Sequence, residues 1–193
     1  QFDPNDVVRG LDRLLRRVLG AHIDLETQLA TDVGTMRADA SQLEQVLLNL
    51  TANSRDAMPT GGTLRVTTNV VNRSAAIGSR MPPGESWILI TVSDTGTGMP
   101  ADVRDRIFEP FFTTKERGKG TGLGLALAYA MVEQAGGVIR VDSEPGLGTT
   151  FYLYFPRHDG AVEIPDAPPT PSESLSGNET ILFAEDEESV RAV

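Results

Sequence analysis

Between Gly118 and Gly124 every second residue is glycine, in the run Gly-Lys-Gly-Thr-Gly-Leu-Gly. Glycine loses more backbone entropy on ordering than any other residue and visits conformations closed to the rest, so no helix or strand continues through such a stretch. The chain must enter this run from one element and leave it into another. On its far side, Leu123 to Gln134 is a continuous apolar segment stopped by Gly136 and Gly137, which reads as a buried helix. On its near side, regular periodicity fades from Ser93 onward, so a long irregular segment separates that helix from the preceding strand.

The rest of the chain divides around this break. Residues 3–19 read as an amphipathic helix: Asp3 caps it, Pro4 suits its first position, and Val7, Val8, Leu11, Leu14, Leu15, Val18 and Leu19 form one stripe. Ile23, Leu25, Thr27 and Leu29 alternate with polar residues, so 22–30 reads as a half-buried strand. Asp39 followed by Gln42 resembles a capping box and opens a second helix over 40–58, with Leu43, Val46, Leu47 and Leu50 on its apolar face. Thr63 to Val71 and Trp87 to Val92 read as neighbouring strands, and Val138 to Val141 with Thr150 to Phe155 as a closing hairpin. The pattern predicts an α+β fold in two layers, one mixed sheet with helices on one face. Residues 157–179, with Pro165, Pro168, Pro169 and Pro171 among Ser, Glu and Asp, have linker composition. After them, Thr180 to Ala184 is a short apolar strand followed by a cluster of acids.

Charge narrows the partners. The formal net charge is −10, which argues against nucleic acid. A phosphate site would have to be built locally, against the overall field. Lysine occurs only at Lys115 and Lys119, both beside the glycine-rich run, a placement that an arginine-preferring genome would also produce. The chain lacks cysteine, so disulfides and thiolate metal sites are excluded. No apolar run reaches the roughly 20 residues of a membrane span, so no membrane contact and a cytoplasmic location are expected of this segment.

Four clusters carry candidate chemistry. Asn49 and Asn53 lie four apart within the second helix, which puts two carboxamides on one face. An amide oxygen suits hard, hydrated Mg²⁺ that shares its shell with phosphates; a solvent-facing or core-satisfied pair of amides is the plainer alternative. Asp94-Thr95-Gly96-Thr97-Gly98 follows an apolar strand. A carboxylate there can accept from an exocyclic amine while the glycines let the backbone approach a flat ring, although an Asp-rich turn would look the same. In the glycine-rich run, Gly120, Thr121, Gly122, Leu123 and Gly124 lead into a helix N-terminus, with Lys115, Arg117 and Lys119 adding charge. It is neither a Walker A loop, which needs Ser or Thr where Gly120 stands, nor a dinucleotide fingerprint. Finally, Thr149 begins a strand after Gly146-Leu-Gly148, within reach of a base edge or a bridging water.

Taken together and in this order, the clusters resemble the ATP-binding catalytic domain of histidine kinases, in the superfamily shared with gyrase, mismatch-repair and chaperone ATPases. Asn49 to Met58 resembles the N box, Asp94 to Gly98 and Gly118 to Gly124 the glycine boxes, Ile107-Phe-Glu-Pro-Phe-Phe112 the F box, and Gly146 to Phe151 the last glycine box. The likeness covers about residues 5–156. It implies a Bergerat-type two-layer α/β sandwich with a mobile ATP lid over 101–121, pinned by Phe108, Phe111 and Phe112. It implies ATP and Mg²⁺ as cofactors, Asn53 as Mg²⁺ ligand, Asn49 beside the phosphates, and Asp94 on the adenine amine with Thr149 nearby through water. Gly96, Gly98, Lys115, Lys119 and the glycine-rich run would complete the nucleotide site.

One position departs from the family pattern. A basic residue is common three places after the Mg²⁺ asparagine, and here that place is Asp56, leaving phosphate neutralisation to Lys115, Arg55 or Lys119. Gyrase-type relatives carry a water-activating glutamate four residues before that asparagine, and here Asn49 cannot act as a base. The alternatives to a phosphotransferase are a conformational ATPase, which Asn49 disfavours, and a non-catalytic nucleotide-binding module, which the irregular Asp56 leaves open.

The tail Ile181 to Arg191 resembles the first strand and acidic turn of a receiver domain, with Glu185 and Asp186 as its Mg²⁺-binding acids; an acidic helix start would read alike. The resulting domain plan is 1–156 for the ATP-binding domain, 157–179 for the linker and 180–193 for the receiver start. It implies a hybrid two-component kinase, dimeric at full length. Its partners would be ATP and ADP, a histidine-bearing dimerisation domain preceding Gln1, and receiver or phosphotransfer proteins. Neither His22 nor His158 sits on a helix of the accepting type, so this segment is expected to bind ATP without autophosphorylating.

Overall fold

The computed structural model describes residues 1–72, 86–115 and 120–158. Element order is α1 (Pro4–Leu19), β1 (Ile23–Leu29), α2 (Ala40–Ala57), β2 (Gly62–Asn72), β3 (Ser86–Asp94), α3 (Ala101–Arg104), α4 (Gly124–Gln134), β4 (Val138–Glu144) and β5 (Gly148–Pro156). The strands form one mixed sheet in the order β1-β2-β3-β5-β4. β1 and β2 are parallel, because α2 carries the chain back between them, and the other pairs are antiparallel.

Side-chain alternation sorts the sheet into two faces. Leu64 and Val66 of β2, Ile88, Ile90 and Val92 of β3, and Phe151, Leu153 and Phe155 of β5 are buried in one core with the apolar faces of α1, α2 and α4. Trp87 and Tyr154, one position out of step with those rows, form a separate small cluster with Val71, Leu89, Val138 and Tyr152. This is the expected α/β sandwich, with its helices on one face.

Local chemistry sets the helix starts. The Asp3 carboxylate accepts from the Asn5 N–H at 2.8 Å, and the Asp39 carboxylate from the Ser41 N–H at 2.9 Å. Asp39 thus caps α2 as expected, but through Ser41; the Gln42 amide instead reaches Gln134 of α4. The stripe of α1 is narrower than its sequence suggested, because Leu14 stays 42% exposed at the stripe's edge.

One buried polar joint fastens α1 to the sheet edge. Asn5 is fully buried; its Nδ2 donates to the Ala30 carbonyl at 2.8 Å, and its Oδ1 accepts from Thr68 Oγ1 at 2.7 Å. Thr68 Oγ1 in turn accepts from the Ala30 N–H at 3.1 Å. Asn5→Ala strips the partners from a buried carbonyl and a buried hydroxyl, so it should cost about 1–3 kcal/mol of stability. Urea unfolding measures this directly, and Thr68→Val should add little once Asn5 has gone.

Candidate functional site

The inward rows of four elements stop being apolar at the same end of the sheet. On α2 the buried row Leu43, Leu47, Leu50 continues into Ser54; on β3, Ile88, Ile90 and Val92 continue into Asp94. On β5 the inward residue opposite Asp94 is Thr149, and on β4 the row Ile139, Val141 ends in Ser143. Four polar side chains are thereby buried together. Asp94 Oδ1 accepts from the N–H groups of Gly96 and Thr149 at 2.9 and 3.2 Å, and Oδ2 accepts from the Ser54 hydroxyl at 2.9 Å. The Ser143 and Thr149 hydroxyls share a hydrogen bond at 2.9 Å, while Ser143 also bonds the Gly148 carbonyl and the Met99 N–H. Each carboxylate oxygen offers two lone pairs, so among the described residues Oδ2 keeps one for a ligand.

A cavity of about 570 Å³ opens from this floor, within the range of small-molecule sites. Asp94, Thr149 and Gly98 line one end; Asn53, Asp56 and Lys115 line another part of its wall. Asn49, Gly120, Thr121, Gly122 and Gly124 also line it, so α2 and the N-terminal end of α4 both contribute to its wall. Met99, Val103, Ile107, Phe112, Leu125 and Phe151 supply apolar lining. Two expected members differ. Gly96 supports the site from behind, through its N–H bond to Asp94, and Leu123 caps α4 with its side chain 42% exposed. Lys119, with Gly118 and Arg117, lies outside the described residues, as do Glu185, Asp186 and the tail.

The segment leading to α4 is anchored by two of the three phenylalanines expected to hold it. Phe108 packs on Tyr129 of α4 at 5.2 Å between ring centroids, and Phe112 lies under the Arg106 guanidinium at 4.4 Å. Phe111 is 74% exposed. Its backbone does the anchoring, its N–H donating to the Gly122 carbonyl at 2.9 Å.

The cationic part of the site is compact. Lys115 Nζ donates to Asp56 Oδ2 at 2.6 Å and to Asn53 Oδ1 at 3.2 Å. Arg55 donates to Asp56 Oδ1 through Nε and Nη2 at 2.9 and 2.7 Å. Burial pushes the Asp56 carboxyl up, but the bonds and charges of Lys115 and Arg55 outweigh it and hold it below the usual carboxylate range. Asn49 is held separately, its Nδ2 donating to the Gly124 carbonyl at 3.2 Å and its Oδ1 accepting from Gln45 at 3.0 Å. The Asn53 and Asp56 oxygens thus converge on one positive charge, an ammonium in this structure. The Asn53 amide oxygen is a hard donor of the kind that suits Mg²⁺, which takes one or two protein ligands and completes its shell with phosphates and water.

The cavity brings together Asp94, Asn53, Lys115 and Thr149, which the sequence singled out, with Ser54, and Ser143 adjoins Thr149; neither serine stood out in the sequence. Ser143 ends the apolar inward row of β4, and Ser54 follows Thr51 where the buried face of α2 turns polar, which is the signal that would have marked them.

The model of the family "Histidine kinase-, DNA gyrase B-, and HSP90-like ATPase" matches residues 38–159. The chain is 46% identical to the sensor kinase CckA of Brucella abortus over 98% of its own length and 21% of that protein. Among solved structures, a mycobacterial sensor histidine kinase, MprB, superposes with a TM-score of 0.61 at 28% identity, covering 80% of this chain and 95% of that one. Full-length ShkA in complex with AMPPNP superposes with a TM-score of 0.63 at 27% identity, covering 80% of this chain and 30% of that one. The chain spans about a fifth of the length of the curated relatives it matches first, 21% and 18%.

Proposed function

This chain belongs to the histidine kinase-, DNA gyrase B- and HSP90-like ATPase family, and from that premise we propose that it is the ATP-loading half of a hybrid sensor histidine kinase. It holds ATP and presents the γ-phosphoryl group to a histidine on a dimerisation helix outside this segment, for relay to receiver aspartates. The observation that carries the reading is the cavity whose floor ends in Asp94 and whose wall carries Asn53 and Lys115. In this reading the adenine amine donates to Asp94 Oδ2, in line with the Ser54 hydroxyl, and Thr149 bonds the ring through water. The triphosphate runs toward Asn53, Lys115 and the N-terminal end of α4, whose backbone N–H groups favour anions.

Bound Mg²⁺ would neutralise phosphate charge, with Asn53 Oδ1 as its protein ligand. The protein's own part is positioning, which is most of what phosphoryl transfer requires. Asn49, bound between Gln45 and Gly124, braces α2 against α4. A carboxamide has no basic lone pair with which to activate water. The site therefore retains ATP for an acceptor brought from elsewhere.

Glu185 and Asp186 are proposed as the metal-binding acids of a receiver domain that begins near Thr180, after a linker over 157–179; this rests on sequence alone. Among the described residues no helix is long and apolar enough to cross a membrane.

Incubated with γ-labelled ATP and Mg²⁺, the purified chain should release phosphate far more slowly than an ordinary enzyme, on the order of 10 per second, and should form no phosphohistidine. Rapid steady-state hydrolysis would favour a conformational ATPase instead. Phosphohistidine on His22 or His158 would contradict the assignment of the acceptor to another segment.

A further inference from the structure

A carboxylate lining a cavity that is to hold a polyanion is a physical anomaly. Asp56 is one: its side chain is one-third exposed and faces the same space as Asn53 and Lys115. Left alone it would repel phosphate. It is not alone, because Arg55 binds one of its oxygens and Lys115 the other. Two cations and one anion leave the group with a net charge of +1.

We propose that Asp56 is a positioning residue for the nucleotide's terminal phosphates, holding the Lys115 ammonium beside Asn53 at the cavity wall. The inference deepens the nucleotide reading and rests on it. Arg55 cancels the charge of Asp56, and Asp56 serves as a rigid hydrogen-bond acceptor. Lys115 then carries the net positive charge to the ligand. An ammonium has three donors; Asp56 and Asn53 take two, and the third is available to a phosphate oxygen. Ordering a lysine side chain costs rotamer entropy, and the bond to Asp56 imposes that ordering before the ligand arrives. The arrangement also ties α2 to the segment preceding α4, since Asp56 and Asn53 lie on the helix and Lys115 follows the Phe108–Phe112 anchor. Through Arg55, whose Nη1 lies 3.5 Å from the Val18 carbonyl, the group reaches the end of α1.

The test compares binding of a non-hydrolysable ATP analogue with binding of AMP, which keeps the base but lacks the terminal phosphates. Each titration is run in Mg²⁺ and in EDTA, on wild type, Asp56→Asn, Lys115→Met and the double variant. Asp56→Asn should weaken the analogue roughly fivefold to tenfold, since a neutral acceptor replaces a charged one and the bond is weakened without being deleted. The loss should be the same with and without Mg²⁺, should be absent for AMP, and should add nothing once Lys115 is gone. Equal or tighter analogue binding by Asp56→Asn would overturn the proposal, because repulsion would then be the larger effect. A loss confined to Mg²⁺ would overturn it in favour of Asp56 as a metal ligand. A loss that includes AMP would reduce Asp56 to a structural role. A folded wild type that binds neither ligand would refute the nucleotide reading itself, and this proposal with it.

Discussion

Asp94→Asn should weaken nucleotide binding by roughly 100-fold while leaving the fold in place. The substitution keeps size and shape. Its remaining oxygen can still accept from the Gly96 and Thr149 N–H groups, as Asp94 Oδ1 does. The Ser54 hydroxyl, which donates to Oδ2, can rotate to accept from the new NH₂ instead. The adenine amine cannot adjust: it would face a donor where it had an acceptor. A buried site built to accept a hydrogen bond rejects a mismatched partner far more strongly than an apolar pocket rejects a change of size. Asp94→Ala should bind as poorly but also lose stability, because it orphans two N–H groups and a hydroxyl beside a side chain that is only 5% exposed. Titration by fluorescence or calorimetry measures the affinities and urea unfolding the stabilities. If Asp94→Asn binds within a few-fold of wild type, the adenine end has been assigned to the wrong residue.

Gly148→Ala should destabilise the fold by about 3 kcal/mol or more, whereas Gly146→Ala, two residues away, should cost only about 1 kcal/mol. Both glycines have positive φ, +81° at Gly146 and +88° at Gly148, so alanine is strained at either. They differ in what surrounds them. Nothing lies within 4 Å of a Cβ built on Gly146. A Cβ on Gly148 would collide with the Asp94 carbonyl oxygen and lie 3.1 Å from Thr95 Cα. Those are backbone atoms of the strand end that carries the site, and they cannot turn aside. The close approach also lets the Thr149 N–H reach Asp94, so Gly148→Ala should lower nucleotide affinity as well. Equal unfolding midpoints for the two variants would mean that the contact between the hairpin and β3 is looser than described.

The sequence disclosed most where structure depends on neighbouring residues. The caps at Asp3 and Asp39, the proline at the start of α1 and the apolar face of α2 follow from local chemistry and stand where they were expected, while the stripe of α1 does so without Leu14. Strand ends were harder. β3 runs to Asp94 rather than Val92 because Ser93 and Asp94 pair with Thr150 and Thr149, residues distant in sequence. Their polarity hid the strand from any test of alternation. The four-residue α3 has no buried residue and so leaves no periodic trace. Phe111 was counted with its neighbours as an anchor, yet its positive φ turns the side chain outward and leaves the backbone to hold the segment. At the site, residues with unusual chemistry for their place were legible: an asparagine pair in a helix, an acid after an apolar strand, two lysines in an acidic chain. Ser54 and Ser143 were not, since serine is unremarkable anywhere until the row it interrupts is known to face a core. Which cation takes over phosphate neutralisation at this position was open in the sequence, since Lys115, Arg55 and Lys119 were all candidates, and that any of them would pair with Asp56 was not foreseen. Folding brings Arg55 and Lys115 to it.

We propose that the cavity lined by α2 and the N-terminal end of α4 takes ATP and holds it for a phosphate acceptor elsewhere. Calorimetric titration of the purified chain with a non-hydrolysable ATP analogue and Mg²⁺ tests it most directly. The account requires saturable binding of one nucleotide per chain, displaced by ADP and lost in Asp94→Asn. A folded chain that gives no binding heat at any workable concentration, or one whose binding is indifferent to Asp94→Asn, would contradict it.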